Sequence, residues 1–407
     1  MKYLPNYLIT CLFLMSVAAP VSGQIIDKGR YFGIGSAFKT FTITTPGLPV
    51  NAGQGINGSV NTGRRVITPF GREVNKVIRL YSEGQTERAI IVAEVLLESA
   101  EIKGAANRTE IAASLNLLAR LHYQQENNEK AEMYFKRVVN VNKTVQGGNP
   151  LEQADGLERL GVFYCGRAFD DKKNEAKWLE SARSPLQQAL KIKQEKMGAN
   201  HLEVAQLHIF LGTIYQFRDK RYDLAVPHFK QAWLIKKEQL QQDDLQLAIA
   251  AGALADVYRM MDKGSEAEPL FKKVLQIREK KQGLEDPALG GALSGLTALY
   301  LQQDKLNEAE PYAVRALAIK TKHLDADNIE LAYHQFQLAL LYHKQGQYQK
   351  AEPLYVKALV IREKKQGDTH PDLAPILHNL SILYHAMGKD DKALSYRKRS
   401  DYIKAQL

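Results

Sequence analysis

Residues 329–371 read IELAYHQFQLALLYHKQGQYQKAEPLYVKALVIREKKQGDTHP, and this stretch decides the fold. In its first half, Ile329–Lys344, Leu338, Leu341 and Tyr342 recur at three- and four-residue steps, which lays one apolar stripe along a helix. Gly346 is placed to end that helix, because glycine enters the left-handed region at no steric cost. A second helix follows, with Ala351, Leu354, Tyr355, Ala358, Leu359 and Ile361 as its apolar residues. Ala351 and Ala358 are small, as close approach of two helix backbones requires. Gly367–Pro371 closes the unit, and Pro371 is expected in the first turn of the next helix, where its missing N–H costs little.

The same unit recurs in both directions. An aromatic ring near the end of each first helix forms a ruler: Tyr81, His122, Tyr164, Tyr215, Tyr258, Tyr300, Tyr342 and Tyr384, at steps of 41, 42, 51, 43, 42, 42 and 42 residues. Ala89, Ala131, Ala182, Ala225, Ala267, Ala309, Ala351 and Ala393 form a second ruler in register with it. Two series in register mean a solenoid, in which each hairpin buries its apolar face on its neighbours. The units run near 70–108, 109–150, 151–201, 202–244, 245–286, 287–328, 329–370 and 371–407, within an array of 69–407. The long third step holds nine extra residues around Asp170–Glu175, close to Trp178. These form either a longer turn or a protrusion whose tryptophan docks on a partner. The many Glu and Lys of the second helices read as solvated faces.

Ahead of the array the text changes. Lys2, an apolar run at Leu8–Ala19, and small residues at Val21-Ser22-Gly23 read as a signal peptide over 1–23, cut before Gln24. Twelve apolar residues are too few to span ~30 Å of hydrocarbon, so no integral span is expected after cleavage. Residues 24–68 are rich in glycine and read as a flexible leader, with one short strand at Phe38–Thr45. Gly53–Gly58 matches G-x-G-x-x-G, but no strand leads into it, so it reads as coincidence. After cleavage Cys165 is the one remaining cysteine, a core thiol in this reading. Exported, helical and free of disulfides fits a bacterial envelope, periplasmic or secreted; the sequons at Asn57, Asn107, Asn142 and Asn379 keep a eukaryotic destination open.

The formal net charge is +10, of which the leader carries +4. Spread thinly over the repeats, the remainder argues against nucleic acid as a partner. The ten histidines are scattered, and no His-Glu-x-x-His, Gly-x-Ser-x-Gly or phosphate-binding loop occurs. Neither an enzyme nor a cofactor or metal site is expected.

Ala351-Glu-Pro-Leu-Tyr-Val-Lys-Ala-Leu-Val-Ile-Arg-Glu-Lys-Lys-Gln-Gly367, followed by His370-Pro371, resembles the tetratricopeptide repeat of the kinesin light chain type. Ala267-Glu-Pro269 with Ile277-Arg-Glu279, and Ala309-Glu-Pro311 with Leu317, carry the same resemblance, which covers about 70–407 and is strongest from 245. It implies an all-α, right-handed superhelical solenoid whose first helices line a concave wall. That wall lies two and five residues before the aromatic ruler and one after it. Arg79, Arg120, Thr213 and Asp256 then stand at the first position, and Lys76, Arg159, Gln337 and Asn379 at the second. Tyr123, Gln216, Arg259, His343 and His385 stand at the third. In related peptide-binding arrays an Asn five before the ruler holds the ligand backbone; only Asn379 matches, with Gln337 a partial substitute. The wall opens basic and ends polar with histidine. The expected function is an exported, non-catalytic scaffold or adaptor that binds a protein segment, with an acidic one suited to Lys76, Arg79, Arg120 and Arg159. Its apolar side chains would reach Phe210 and Leu301. The alternative is a structural part of an envelope complex, contacting partners through terminal units or the outer face.

Overall fold

A computed structural model describes residues 68–104, 107–143 and 149–406. The signal segment, the strand at 38–45, the Gly53–Gly58 motif and all but the last residue of the 24–68 leader lie outside the described residues. Within them are sixteen α-helices, two short 3-10 turns and no strand. The chain divides into two compact units, one ending at Leu211 and the other beginning at Gly212.

The earlier unit contains α1 (Pro69–Ser82), α2 (Thr86–Ile102), α3 (Arg108–Gln124), α4 (Asn128–Lys143), α5 (Pro150–Asp170), α6 (Glu175–Met197) and the start of α7 (Leu202–Phe217). The later unit begins within α7 and contains α8 (Tyr222–Gln239), α9 (Leu245–Met260), α10 (Gly264–Gln282), α11 (Gly290–Gln302) and α12 (Leu306–His323). It ends with α13 (Ile329–Lys344), α14 (Tyr348–Gln366), α15 (Leu373–Ala386) and α16 (Asp390–Ala405). In each unit consecutive helices pair as antiparallel hairpins.

The turn inside the hairpins needs one left-handed residue, about four positions past the ruler. Gly84, Gly346 and Gly388 supply it, with φ of 76°, 74° and 71°. Glu126, Lys220, Asp262 and Asp304 take the same conformation with φ between 49° and 61°, at a steric cost glycine avoids. Between hairpins a polar side chain caps the next helix. Asp244, Asp286 and Asn328 accept the backbone N–H two residues on, at 2.7, 2.7 and 2.8 Å. His201 and His370 do the same through Nδ1, each at 3.2 Å. This corrects the expectation for Pro371: α15 begins at Leu373, and the proline sits in the turn before it.

The alanine ruler is buried throughout, at 0% exposure in all but Ala393. Opposing helices come close enough that a Cβ on Gly295 would lie 2.4 Å from the Phe271 ring. The ruler aromatics tie hairpin to hairpin. Tyr164, Tyr300 and Tyr384 donate their hydroxyls to Glu132, Glu268 and Glu352, each 32 residues earlier, at 2.9, 2.9 and 2.7 Å. Their rings stack on Trp178, Tyr312 and Tyr396. Trp178 therefore takes the stacking place tyrosine holds elsewhere, and its indole N–H donates to Asp171 at 3.0 Å. The nine extra residues lengthen α5 and α6 around a 3-10 turn at Lys172–Asn174, which favours the longer turn over the docking protrusion.

The second helices are not simply solvated faces. One cation per hairpin is buried at a step of about 42 residues: Lys193, Lys236, Arg278, Lys320 and Arg362, each 1–6% exposed. Lys193 meets Asp155, Glu158 and Glu203 at 2.8, 2.7 and 2.6 Å. Burial disfavours its charge, but these carboxylates outweigh that and hold the ammonium above its usual range. Lys320 meets Glu330 at 2.6 Å and Arg362 meets Asp372 at 2.7 Å. Lys236 donates instead to the neutral amide of Gln246 at 3.3 Å. Burial pushes it down to about 8, with Asp244 opposing the shift only in part.

Candidate functional site

The expected wall residues fall into three groups. Lys76, Arg79 and His385 are exposed. Lys76 and Arg79 lie on α1 beside carboxylates of their own helix end, Glu73 at 3.4 Å and Glu83 at 3.9 Å. His385 Nδ1 lies 2.7 Å from Asp390 Oδ1.

Arg120, Arg159, His343 and Asn379 are half-buried. Arg120 on α3 and Arg159 on α5 are brought into one electrostatic neighbourhood. Burial, then the like charge of Arg159, push the Arg120 guanidinium down to about 10, while Tyr81 opposes the shift. Burial also lowers Arg159, against the pull of Asp155 and Glu158. Arg159 forms no ion pair within 4 Å among the described residues. Those two acids are in contact with Lys193. Like charges that interact while partly desolvated disfavour each other, and an anion near them is favoured. His343 packs edge-on against Tyr348, and burial lowers its pKa. The Asn379 amide donates to the Pro375 carbonyl of its own helix at 2.8 Å, so its N–H is turned inward along α15.

Tyr123, Thr213, Gln216, Asp256, Arg259 and Gln337 are buried, at 0–8% exposure. Tyr123 donates to Asp170 at 2.9 Å and packs edge-on against Phe163. Gln216 approaches Met260 Sδ at 3.4 Å. Asp256 and Arg259, one turn apart on α9, pair at 2.8 Å. Gln337 donates to the Tyr333 hydroxyl at 2.9 Å and to the Ser294 carbonyl at 3.3 Å. Phe210 and Leu301, expected to meet apolar ligand side chains, are 8% and 6% exposed and belong to the core.

Sequence reasoning passed over the polar cluster on α11 and α13. His334 Nδ1 lies 3.2 Å from Ser294 Oγ, and burial, with Lys320 nearby, pushes the imidazole down to about 3. The available signal was a histidine and a serine 40 residues apart, on the first helices of neighbouring hairpins. Cys165 is buried, and burial pushes its thiol up to about 12, far from the range of a nucleophile. Among the described residues no group of three or more His, Cys, Asp or Glu could hold a metal ion. No described helix is long and apolar enough to cross a membrane.

Residues 246–322 and 329–400 match a family model described as tetratricopeptide repeat, and residues 111–149 match a second of the same description. The repeats in these stretches are tetratricopeptide repeats. Tetratricopeptide proteins generally serve as non-catalytic scaffolds that bind proteins or peptides. Among solved structures, kinesin light chain-type, nearly identical TPR-like repeats from Podosopora anserina are 24% identical, cover 51% of this chain and 97% of that one, and give a TM-score of 0.44. The apo form of RapI is 16% identical over 83% of this chain and 98% of that one, with a TM-score of 0.56. The apo form of the quorum sensor NprR from B. thuringiensis is 13% identical over 82% and 98%, with a TM-score of 0.52. At such identities the last two show the helical-repeat fold alone. No curated protein matches the chain.

Proposed function

We propose that this tetratricopeptide protein is an exported, non-catalytic adaptor that binds an acidic segment of a partner protein at α3 and α5. The observation that carries the reading is the pair Arg120 and Arg159, half-buried and repelling one another. A carboxylate from the partner relieves that repulsion and accepts charge-assisted hydrogen bonds. Each such bond to a charged group contributes about 1.5–3 kcal/mol when partly desolvated, more than the ~0.2–1 kcal/mol of an exposed pair. Lys76 and Arg79 lie on the exposed side of α1 and contribute through longer-range attraction that salt screens.

The segment Met1–Gly23 directs export to a periplasmic or secreted destination. Mass spectrometry of the native protein then finds a chain starting at Gln24; an intact Met1 start in soluble cytoplasmic protein refutes export.

The binding test is a pull-down of the mature protein with cross-linking, followed by titration of the captured segment. Arg120→Glu with Arg159→Glu weakens binding more than tenfold, and binding to the unaltered protein fades with salt. If the double variant binds the captured segment as the unaltered protein does, the wall reading is wrong.

A further inference from the structure

The exposed side of α2 differs from that of the other second helices. Ile91, Val95 and Ile102 are 59%, 59% and 79% exposed. At about 100° per residue they fall within about 40° of one another and form a single apolar row. Glu87, Glu94, Glu98 and Glu101 fall on one flank of that row, within about the next 80°. Glu101 is paired with Arg137 of α4. The other three carboxylates form no ion pair among the described residues.

The place of this row in the repeat says what kind of surface it is. In three other hairpins the position of Val95 is arginine. Arg137, Arg315 and Arg399 each reach back to a glutamate 36 residues earlier, in the preceding hairpin. The position of Ile102 is lysine in α10, α12 and α14, and each of these lysines pairs with an acid just ahead of its own hairpin. These positions therefore form the edge by which a second helix meets what comes before it. In α2 that edge is apolar. In α16, by contrast, Arg397, Asp401 and Lys404 are exposed where Tyr355, Leu359 and Arg362 of the hairpin before are buried.

We propose that the outer edge of α2 is a docking site for an amphipathic helix of another protein, one whose apolar row is flanked by lysine or arginine. A helix fits because Glu87 to Ile102 is a straight track of about 22 Å, and helices already meet this edge elsewhere in the repeats. A basic flank fits because three carboxylates line one side and await partners. The site lies on α2, whereas the arginine pair lies on α3 and α5, and it selects the opposite charge.

The test titrates the full mature chain with two labelled 18-residue helical peptides by fluorescence anisotropy. Both carry a leucine row, flanked by lysine in one and by glutamate in the other. The lysine-flanked peptide binds, and in the Arg120→Glu, Arg159→Glu background, which removes the acid-binding wall, the glutamate-flanked one does not. Ile91→Lys with Val95→Lys weakens the first by more than tenfold, with the far-UV circular dichroism unchanged. Glu94→Lys with Glu98→Lys transfers the preference to the second peptide. Arg120→Glu with Arg159→Glu leaves binding of the lysine-flanked peptide as it is, so failure of the wall reading is separable from failure of this one. Equal binding of both peptides, or binding indifferent to the Ile91 and Val95 changes, overturns the proposal. So does refusal of both peptides; a Val95→Cys thiol shielded from iodoacetamide then shows that the chain covers the edge itself.

Discussion

Two buried lysines in the same register of the repeat should respond in opposite directions to the same substitution. Lys193 sits among Asp155, Glu158 and Glu203 at 2.6–2.8 Å, and Glu158 is only 14% exposed. Lys193→Met leaves those carboxylates together without their cation. Breaking a buried pair by removing one partner costs about 3–5 kcal/mol. Lys236→Met removes a cation whose near neighbour is an amide. Its pKa of about 8, against 10.5 for a free lysine, corresponds at about 1.4 kcal/mol per unit to a cost on the order of 3 kcal/mol at neutral pH. Replacing it by an apolar side chain of similar length should therefore be neutral or stabilising by up to that amount. The pH dependence separates the cases further. Lys236 is depressed in the folded state, so between about pH 8 and 10.5 the unfolded chain binds more protons and stability rises with pH. Lys236→Met should flatten that rise. The assay is urea unfolding followed by tryptophan fluorescence. The chain has two tryptophans, Trp178 in the unit that holds Lys193 and Trp233 in the unit that holds Lys236. Trp233→Phe and Trp178→Phe backgrounds therefore report each unit separately. If Lys193→Met costs under ~1 kcal/mol, or if Lys236→Met costs as much as Lys193→Met, the assigned roles of these lysines are wrong.

His334 is held neutral, with its pKa pushed down to about 3. Below pH 6.5 the unfolded chain takes up the proton that the folded one refuses, so stability should fall as pH drops from 6.5 towards 4. His334→Gln should reduce that slope in thermal melts. Gly295→Ala forces a Cβ against the Phe271 ring and should cost about 1–3 kcal/mol by overpacking, measured by urea midpoint. Glu126→Gly relieves a left-handed residue with φ of 61° and should raise the melting temperature by a degree or more, a gain of up to about 1 kcal/mol. Cys165 should resist iodoacetamide in the native protein and react fully in urea, since its thiol is both buried and held at about 12.

The repeat was legible in the chain alone because its physics is local. A 3.6-residue apolar stripe, small residues at the contact and a turn residue recur at one period, and each hairpin answers mainly to its neighbours. The aromatic and alanine rulers therefore mark the same hairpins in sequence and in space. The candidate wall was legible only in outline. Register along a first helix names positions such as Asp256, Arg259 and Gln337, but it does not say how deep they lie. The structure buries all three, with Asp256 and Arg259 paired to each other and Gln337 bonded to Tyr333 and Ser294, while it leaves Arg120 and Arg159 half-buried in one electrostatic neighbourhood. The packing of neighbouring hairpins, about 40 residues away in sequence, decides this depth, and no local period encodes it. The same holds for the second helices. Lys193, Lys236 and Lys320 look like any solvated lysine in sequence, because a long aliphatic stem suits either water or a packed interface. Only the position of the next hairpin's first helical turn, which brings Glu203, Gln246 or Glu330 to the ammonium, determines whether that charge is held tightly or merely tolerated.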